Sequence, residues 1–272
     1  MKVYLAKYAG FCFGVKRAID IATKTAGKNV YTLGPLIHNT QVVKDLEKKG
    51  IRCAENLSEI PEGTVIIRAH GVPPQTIREA KNLGLRVIDA TCPYVKKVHN
   101  ITKKLQEEGY QVIIFGEKEH PEVIGVKGNS ENAIVIESPE EARSLMRYER
   151  IGLVSQTTQS KEKFKEAIAE LKNHTNKLKV CDTICDATEK RQQAAIELAK
   201  KVDLMIVLGG YNSGNTRRLA ELCSKETKTI HVEQPSEIDK KSLKGKKKIG
   251  ITAGASTPEY LIKELTEELN RI

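Results

Sequence analysis

No apolar run in the 272-residue chain reaches the length needed to cross a bilayer, and no opening segment joins an apolar stretch to a cleavage-like site. These absences predict a cytoplasmic protein that makes no use of a membrane. Cysteine is scarce. Six in a chain of this length cannot form a disulfide framework, so a reducing compartment is expected, with thiols suited to metal ligation or redox chemistry. Neither Gly209-Gly210 nor Ala253-Gly254 completes a nucleotide-binding signature, which leaves ATP and NAD with little motif support. Motifs that read RNA or DNA are missing too.

What is present is ordinary for a globular protein: 19 glycines, 9 prolines and 39% apolar residues, which argues against global disorder. The length permits two or three domains and excludes a small metal-stapled module, so any metal serves function rather than folding. A net charge of +10 would attract nucleic acid, an acidic protein or a phosphorylated substrate, and selects none of them. The densest block, Lys240, Lys241, Lys244, Lys246, Lys247 and Lys248, reads as a solvated face.

Strand-like runs alternate with helix-like ones throughout. Val30–Leu33 leads into 39–49, 64–69 into a helix at 74–83 opened by Pro74, and 86–90 into 94–106. The grammar continues through 112–115, 120–126, 133–136, 139–146, 151–155 and 160–172. A last block places strands at 203–208, 229–232 and 248–252 among helices at 189–200, 216–223 and 258–269. Thr257-Pro258-Glu259 is a helix start in which threonine can cap. Such alternation implies parallel sheets with helical crossovers, in three α/β blocks of roughly 80–90 residues. Similarity between blocks is too weak to count as a sequence repeat, and 174–180 reads as a linker.

Cys12, Cys92 and Cys185 each follow a strand-like run and precede a helix-like one, where helix-start amides stabilise thiolate charge. Inert core thiols, structural zinc and an iron–sulfur cluster all fit a scattered triplet. Three cysteines would leave one iron of a cubane without a protein ligand, open to a substrate oxygen. Cys53 and Cys223 have apolar surroundings that read as buried. Cys181, four residues before Cys185, fits either a fourth ligand or a disulfide partner.

Polar residues near glycine-rich turns supply an anion site: His38-Asn39, Arg68-Ala69-His70-Gly71, His120-Pro121-Glu122, Gln156-Thr157-Thr158, Asn212 to Asn215, and Thr252 to Ser256. Taken singly, His38, Asn215 and Ser256 fit helix caps, His99 faces a helical stripe and His231 lies inside a strand. Glu122, beside a histidine at a helix start, suits a carboxyl that keeps a proton near neutral pH in a closed site.

Together, Gly10-Phe-Cys-Phe-Gly-Val-Lys-Arg-Ala18, Arg68-Ala-His-Gly71, Asp89-Ala-Thr-Cys-Pro93, His120-Pro-Glu-Val123, Gln156-Thr-Thr158, Thr183-Ile-Cys-Asp-Ala-Thr188, Asn212-Ser-Gly-Asn-Thr216 and Thr252-Ala-Gly-Ala-Ser256 resemble the 4-hydroxy-3-methylbut-2-enyl diphosphate reductase family over nearly the whole chain. The resemblance implies an α/β fold of three similar small domains in a pseudo-threefold, trefoil-like arrangement around a central iron–sulfur site. It implies domains at 14–91 and 92–181, with 1–13 joining 182–272 in the third. One [4Fe–4S] cluster would be held by Cys12, Cys92 and Cys185, leaving one iron substrate-accessible and Cys181 a non-ligand. His38, His70, His120, Ser213, Gly214, Asn215 and Ser256 would bind the diphosphate, Gly214 through its backbone because it lacks the hydroxyl the family can present there. Glu122, assisted by Thr157, would deliver protons.

The implied reaction is reductive dehydroxylation of the allylic diphosphate to isopentenyl and dimethylallyl diphosphates, the final step of the non-mevalonate isoprenoid pathway. Reduced ferredoxin or flavodoxin would supply the electrons, with no nucleic-acid partner. Two other readings make different predictions. A nucleic-acid-interacting scaffold with structural metal would show salt-sensitive nucleic-acid affinity. A zinc-dependent phosphate-ester hydrolase would contain zinc without inorganic sulfide.

Overall fold

The computed structural model describes residues 1–271. Its elements are β1 (Lys2–Leu5), α1 (Phe13–Thr25), β2 (Val30–Leu33), α2 (Thr40–Glu47), β3 (Ile51–Ala54), β4 (Thr64–Ile67), α3 (Pro74–Asn82) and β5 (Arg86–Asp89). There follow α4 (Pro93–Glu107), β6 (Gln111–Phe115), α5 (Pro121–Lys127), β7 (Ile134–Ile136), α6 (Pro139–Arg143), β8 (Tyr148–Ser155), α7 (Lys161–Leu171) and β9 (Thr175–Val180). The chain continues through α8 (Asp186–Ala199), β10 (Leu204–Leu208), α9 (Gly214–Ser224), β11 (Thr229–Val232), β12 (Lys248–Ala253) and α10 (Glu259–Asn270). Among the described residues no helix is long and apolar enough to cross a membrane.

The strands form three four-stranded, wholly parallel sheets, so the expected α/β class with three similar blocks is observed. Their orders are β3-β2-β4-β5, β7-β6-β8-β9 and β11-β10-β12-β1. Each is one pattern: second, first, third and fourth strand, with β1 in the third sheet standing where β5 and β9 stand in the others. Helical crossovers cover both faces of such sheets, which is why the inner strands are unbroken apolar runs. Leu204–Leu208, for example, is buried at every position.

Chain contacts divide the molecule into two compact units. The first comprises Met1–Lys16, His38–Val42 and the chain from Asp186 onward; the second comprises Arg17–Ile37 and Val43–Cys185. In the first, one face of the β11-β10-β12-β1 sheet packs Ile206, Ile249 and Ile251 against Leu261 and Leu265 of α10. Its opposite face packs Met205 and Val207 against Ala195 and Leu219. In the second unit Phe115 of β6 meets Phe164 of α7 with ring centroids 5.9 Å apart. Full burial of such a ring contributes roughly 2–3 kcal/mol.

Some expectations need correcting. The segment read as a linker is β9, an edge strand paired to β8; its Thr-Asn-Lys-Leu-Lys-Val composition hides it because the strand is held by its ladder while most of its side chains stay at least partly exposed. Strand β3 is likewise an edge. Thr257 does not cap α10: its hydroxyl donates to Leu208 O at 2.9 Å, and Pro258 occupies the cap position. The lysine block is exposed apart from part of Lys246, and Asp203 Oδ2 accepts the backbone N–H groups of Lys247 and Lys248 at 2.8 and 2.9 Å.

Candidate functional site

The shared strand order brings the motif residues to equivalent places. Parallel sheets bind ligands beyond the carboxyl ends of their strands, where the chain leaves in opposite directions from neighbouring strands. His38, His120 and Ser213 each stand five residues past the last residue of their sheet's first strand, Leu33, Phe115 and Leu208. Ala69, Thr157 and Ala255 each stand two past the end of the third strand, at Ile67, Ser155 and Ala253.

Cysteines follow the fourth strands. The N–H of Cys92 donates to Ala69 O at 2.9 Å, that of Cys185 to Thr157 O at 3.0 Å, and that of Cys12 to Ala255 O at 3.1 Å. One hydrogen bond, prolonging the ladder past the strand end, therefore fixes all three cysteines in the same local setting at the starts of α4, α8 and α1. None is fully buried, and no disulfide joins any of the six cysteines. Partly exposed sulfur donors beside helix starts fit a soft metal or an iron–sulfur cluster.

Cys181 has another setting. Its N–H donates to Leu153 O at 2.8 Å and its side chain packs with the apolar cluster on β6 and β8, where burial pushes the thiol pKa up. Cys223 is buried, with its thiol pushed up to about 12. Cys53 is half-buried rather than buried, because β3 is an edge strand.

In the second unit, α5 presents the acid. Glu122 is 2% exposed, and its two oxygens are held by Thr157: the backbone N–H donates to Oε1 at 2.6 Å and the hydroxyl to Oε2 at 2.8 Å. Burial raises the carboxyl to about 7 against those hydrogen bonds, which lower it, with a smaller push from the Glu117 carboxylate. Thr157 thus ties the carboxyl to the cysteine segment, since its carbonyl accepts the Cys185 N–H. His120 caps α5, its Nδ1 accepting the Glu122 N–H at 3.1 Å, and this leaves Nε2 as the protonated nitrogen of the neutral ring. The His70 ring meets His120 edge-on, centroids 5.4 Å apart. Gln156 is committed to the scaffold: its Oε1 accepts from Glu117 N–H at 3.0 Å and its Nε2 donates to Thr158 at 3.1 Å.

In the first unit, the Ser256 hydroxyl donates to His38 O at 2.9 Å, and Gly210 lies against that carbonyl so closely that a Cβ there would be 2.8 Å from it. His38 does not cap α2; Asn39 does, through Oδ1 to the Val42 N–H at 3.1 Å. Ser213 caps α9 by accepting the Thr216 N–H at 3.3 Å, leaving its hydroxyl proton available. Gly214 opens the helix, so only its amide can contribute.

Asn215 does not cap. It is 4% exposed, and both Oδ1 and Nδ2 are buried without a hydrogen-bond partner. A carboxamide orphaned at both ends is costly; a ligand with strong acceptor oxygens would satisfy Nδ2, and a hydroxyl proton would satisfy Oδ1. The hydroxyls of Thr216 and Thr252 are also buried without partners. Both lie within motifs quoted above, and the backbones of Gly209 and Gly254 pack against Thr216. Arg191, 3% exposed, donates to Gly10 O at 2.7 Å and so holds the turn before Cys12. Nothing in its helical context marks it.

Comparison with known proteins agrees with this geometry. The LytB protein family model matches residues 3–270. The 4-hydroxy-3-methylbut-2-enyl diphosphate reductase of Pelobacter propionicus is 48% identical over 276 residues, covering 100% of this chain and 99% of that protein. Its counterpart in Trichlorobacter lovleyi is 46% identical, with 100% and 99% covered. A solved structure of (E)-4-hydroxy-3-methyl-but-2-enyl diphosphate reductase, described as the terminal enzyme of the non-mevalonate pathway, is 44% identical with a TM-score of 0.73, covering 100% of both chains. The E-1-hydroxy-2-methyl-but-2-enyl-4-diphosphate reductase of Plasmodium falciparum is 32% identical with a TM-score of 0.94, covering 99% of this chain and 88% of that one. On motif, topology and full-length similarity, this chain belongs to the LytB family.

Proposed function

We propose that this chain reduces (E)-4-hydroxy-3-methylbut-2-enyl diphosphate to isopentenyl and dimethylallyl diphosphates, the last step of the non-mevalonate pathway, in the cytoplasm. The reaction takes up two electrons and two protons, breaks the allylic carbon–oxygen bond and releases water. The observation that carries the reading is the Glu122–Thr157–Cys185 connection, a neutral-range carboxyl tied through one threonine to a candidate cluster ligand.

Cys12, Cys92 and Cys185 would hold one [4Fe–4S] cluster in this reading, Cys92 from the domain at 92–181 and Cys12 and Cys185 from the two segments, 1–13 and 182–272, of another, with 14–91 as the remaining domain. When bound, the cluster supplies single electrons and Lewis acidity, the electrons coming from reduced ferredoxin or flavodoxin. His38, His70, His120, Ser213, the Gly214 amide, Asn215 and Ser256 bind the diphosphate, Asn215 gaining partners for its orphaned amide. Glu122 donates a proton to the leaving hydroxyl. The Thr157 hydroxyl can reverse, accepting from the protonated carboxyl and donating onward. The negative charge left on the allyl fragment is protonated at either end, giving two products.

Anaerobic iron and sulfide analysis, with Mössbauer spectra before and after adding the hydroxylated diphosphate, tests this reading. A substrate-dependent change confined to one iron site supports it. Zinc without inorganic sulfide, or spectra indifferent to substrate, rejects it.

A further inference from the structure

His99 has no place in the mechanism above, yet it lies between two segments that carry the candidate machinery. It projects from α4, the helix that begins at Cys92, and its Nε2 is buried without a hydrogen-bond partner. Burial lowers its pKa to about 4, outweighing the nearby Asp89 carboxylate, so the ring is neutral at physiological pH.

The buried edge of the ring faces two glycines. Gly71, which follows His70, has φ +73°, and a Cβ there would stand 2.8 Å from His99 Cε1. Gly125, three residues after Glu122 on α5, would place a Cβ 3.3 Å from His99 Nε2 and 3.4 Å from both Gly71 C and Val72 N. The His70 turn and α5 therefore pack backbone to backbone, with the imidazole wedged alongside the contact. On that contact depend the edge-on meeting of His70 with His120 and the depth at which Glu122 is held.

We infer that His99 is a positioning residue, a neutral wedge whose volume sets the spacing of the His70 turn from α5 and so holds Glu122 against Thr157. The inference rests on the proposed role of Glu122. Removing the ring leaves an apolar gap into which both segments can slacken, and misplacement of a reacting group by about 1 Å costs on the order of 100-fold in rate.

Three variants test it: His99→Ala, Gly125→Ala and the double variant. In each, the Glu122 titration is followed by carbon-13 NMR of the apoprotein, kcat and KM are measured on the reconstituted protein, and Tm is recorded. His99→Ala should lower kcat at least tenfold and move the Glu122 titration down from about 7 as the carboxyl loses burial. Gly125→Ala places a methyl 3.3 Å from the ring, so α5 and the ring must part by a few tenths of an ångström, and kcat should fall with little loss of Tm because alanine favours the helix. In the double variant the methyl occupies the vacated space, and kcat and the Glu122 titration should recover part of the way.

If His99→Ala lowers Tm alone, or the double variant shows only the sum of the two single effects, His99 is a core residue and the inference fails. Should His99→Ala not fold, Gly125→Ala with an unchanged titration and kcat overturns it equally. Absence of reductase activity in the unaltered protein would reject the proposed function, while the NMR titration would still report on His99.

Discussion

At the scale of single residues, the proposed proton delivery rests on one carboxyl whose burial outweighs its hydrogen bonds. The ordinary glutamate value is 4.5, and Glu122 stands at about 7. Between those values the folded protein keeps a proton that the unfolded chain has released. The resulting stabilisation is complete below pH 4.5 and is lost as the pH rises through 7, on the order of 3 kcal/mol. Glu122→Gln cannot titrate, so the stability difference between it and the unaltered protein, followed by urea denaturation, should move in the variant's favour by that amount from pH 4.5 to 7, the opposing rise from His99, held neutral down to about 4, being common to both. The same substitution should retain the cluster yet slow single turnover by roughly 10²–10⁴-fold, the usual scale of general acid catalysis. Single-turnover rates of the unaltered protein should fall above pH 7 as the acid form is lost. Unchanged turnover in Glu122→Gln would remove the carboxyl from proton delivery.

At the scale of elements, the carboxyl ends of β10 and β12 converge on the start of α9. Gly254 donates its N–H to Leu208 O at 2.9 Å and lies directly against the Thr216 hydroxyl. A Cβ there would drive into Thr216, which is wholly buried one residue after Asn215. Gly254→Ala should therefore destabilise the fold by about 1–3 kcal/mol through overpacking and weaken diphosphate binding through displacement of Asn215. Calorimetric titration of the protein with inorganic diphosphate, beside a thermal melt, separates the two effects. Unaltered affinity would mean that Asn215 does not touch the anion.

At the scale of the whole molecule, the charge of +10 makes a testable prediction about the proposed electron donor. Acidic proteins such as ferredoxin or flavodoxin should reduce the protein more slowly as ionic strength rises, because screening removes long-range steering. A small chemical reductant serves as the control in stopped-flow measurements. Equal salt dependence for both would show that the charge serves solubility alone.

Much of this was legible in the residues. Inner strands such as Val30–Leu33 and Leu204–Leu208 stand out because apolar runs between turn residues admit few other structures. The family motifs identify the cysteines, histidines and Glu122 because each chemistry needs a particular side chain. Strands β3 and β9 were not legible. An edge strand contributes backbone hydrogen bonds on one side and can have polar side chains, so composition carries little trace of it. The three similar blocks were legible in the order of elements, but the strand order within each sheet was not, since it is a property of pairing between distant segments.

The amino-acid sequence by itself determined the alternating α/β grammar and the donor types at the site, because periodicity and side-chain chemistry are local properties. Only the tertiary structure decided that Asn215 is orphaned while Asn39 and Ser213 do the capping, that Thr157 joins Glu122 to Cys185, and that His99 is wedged against two glycines. Each of these depends on burial and on contacts between residues far apart in the chain, which exist only once the chain is packed.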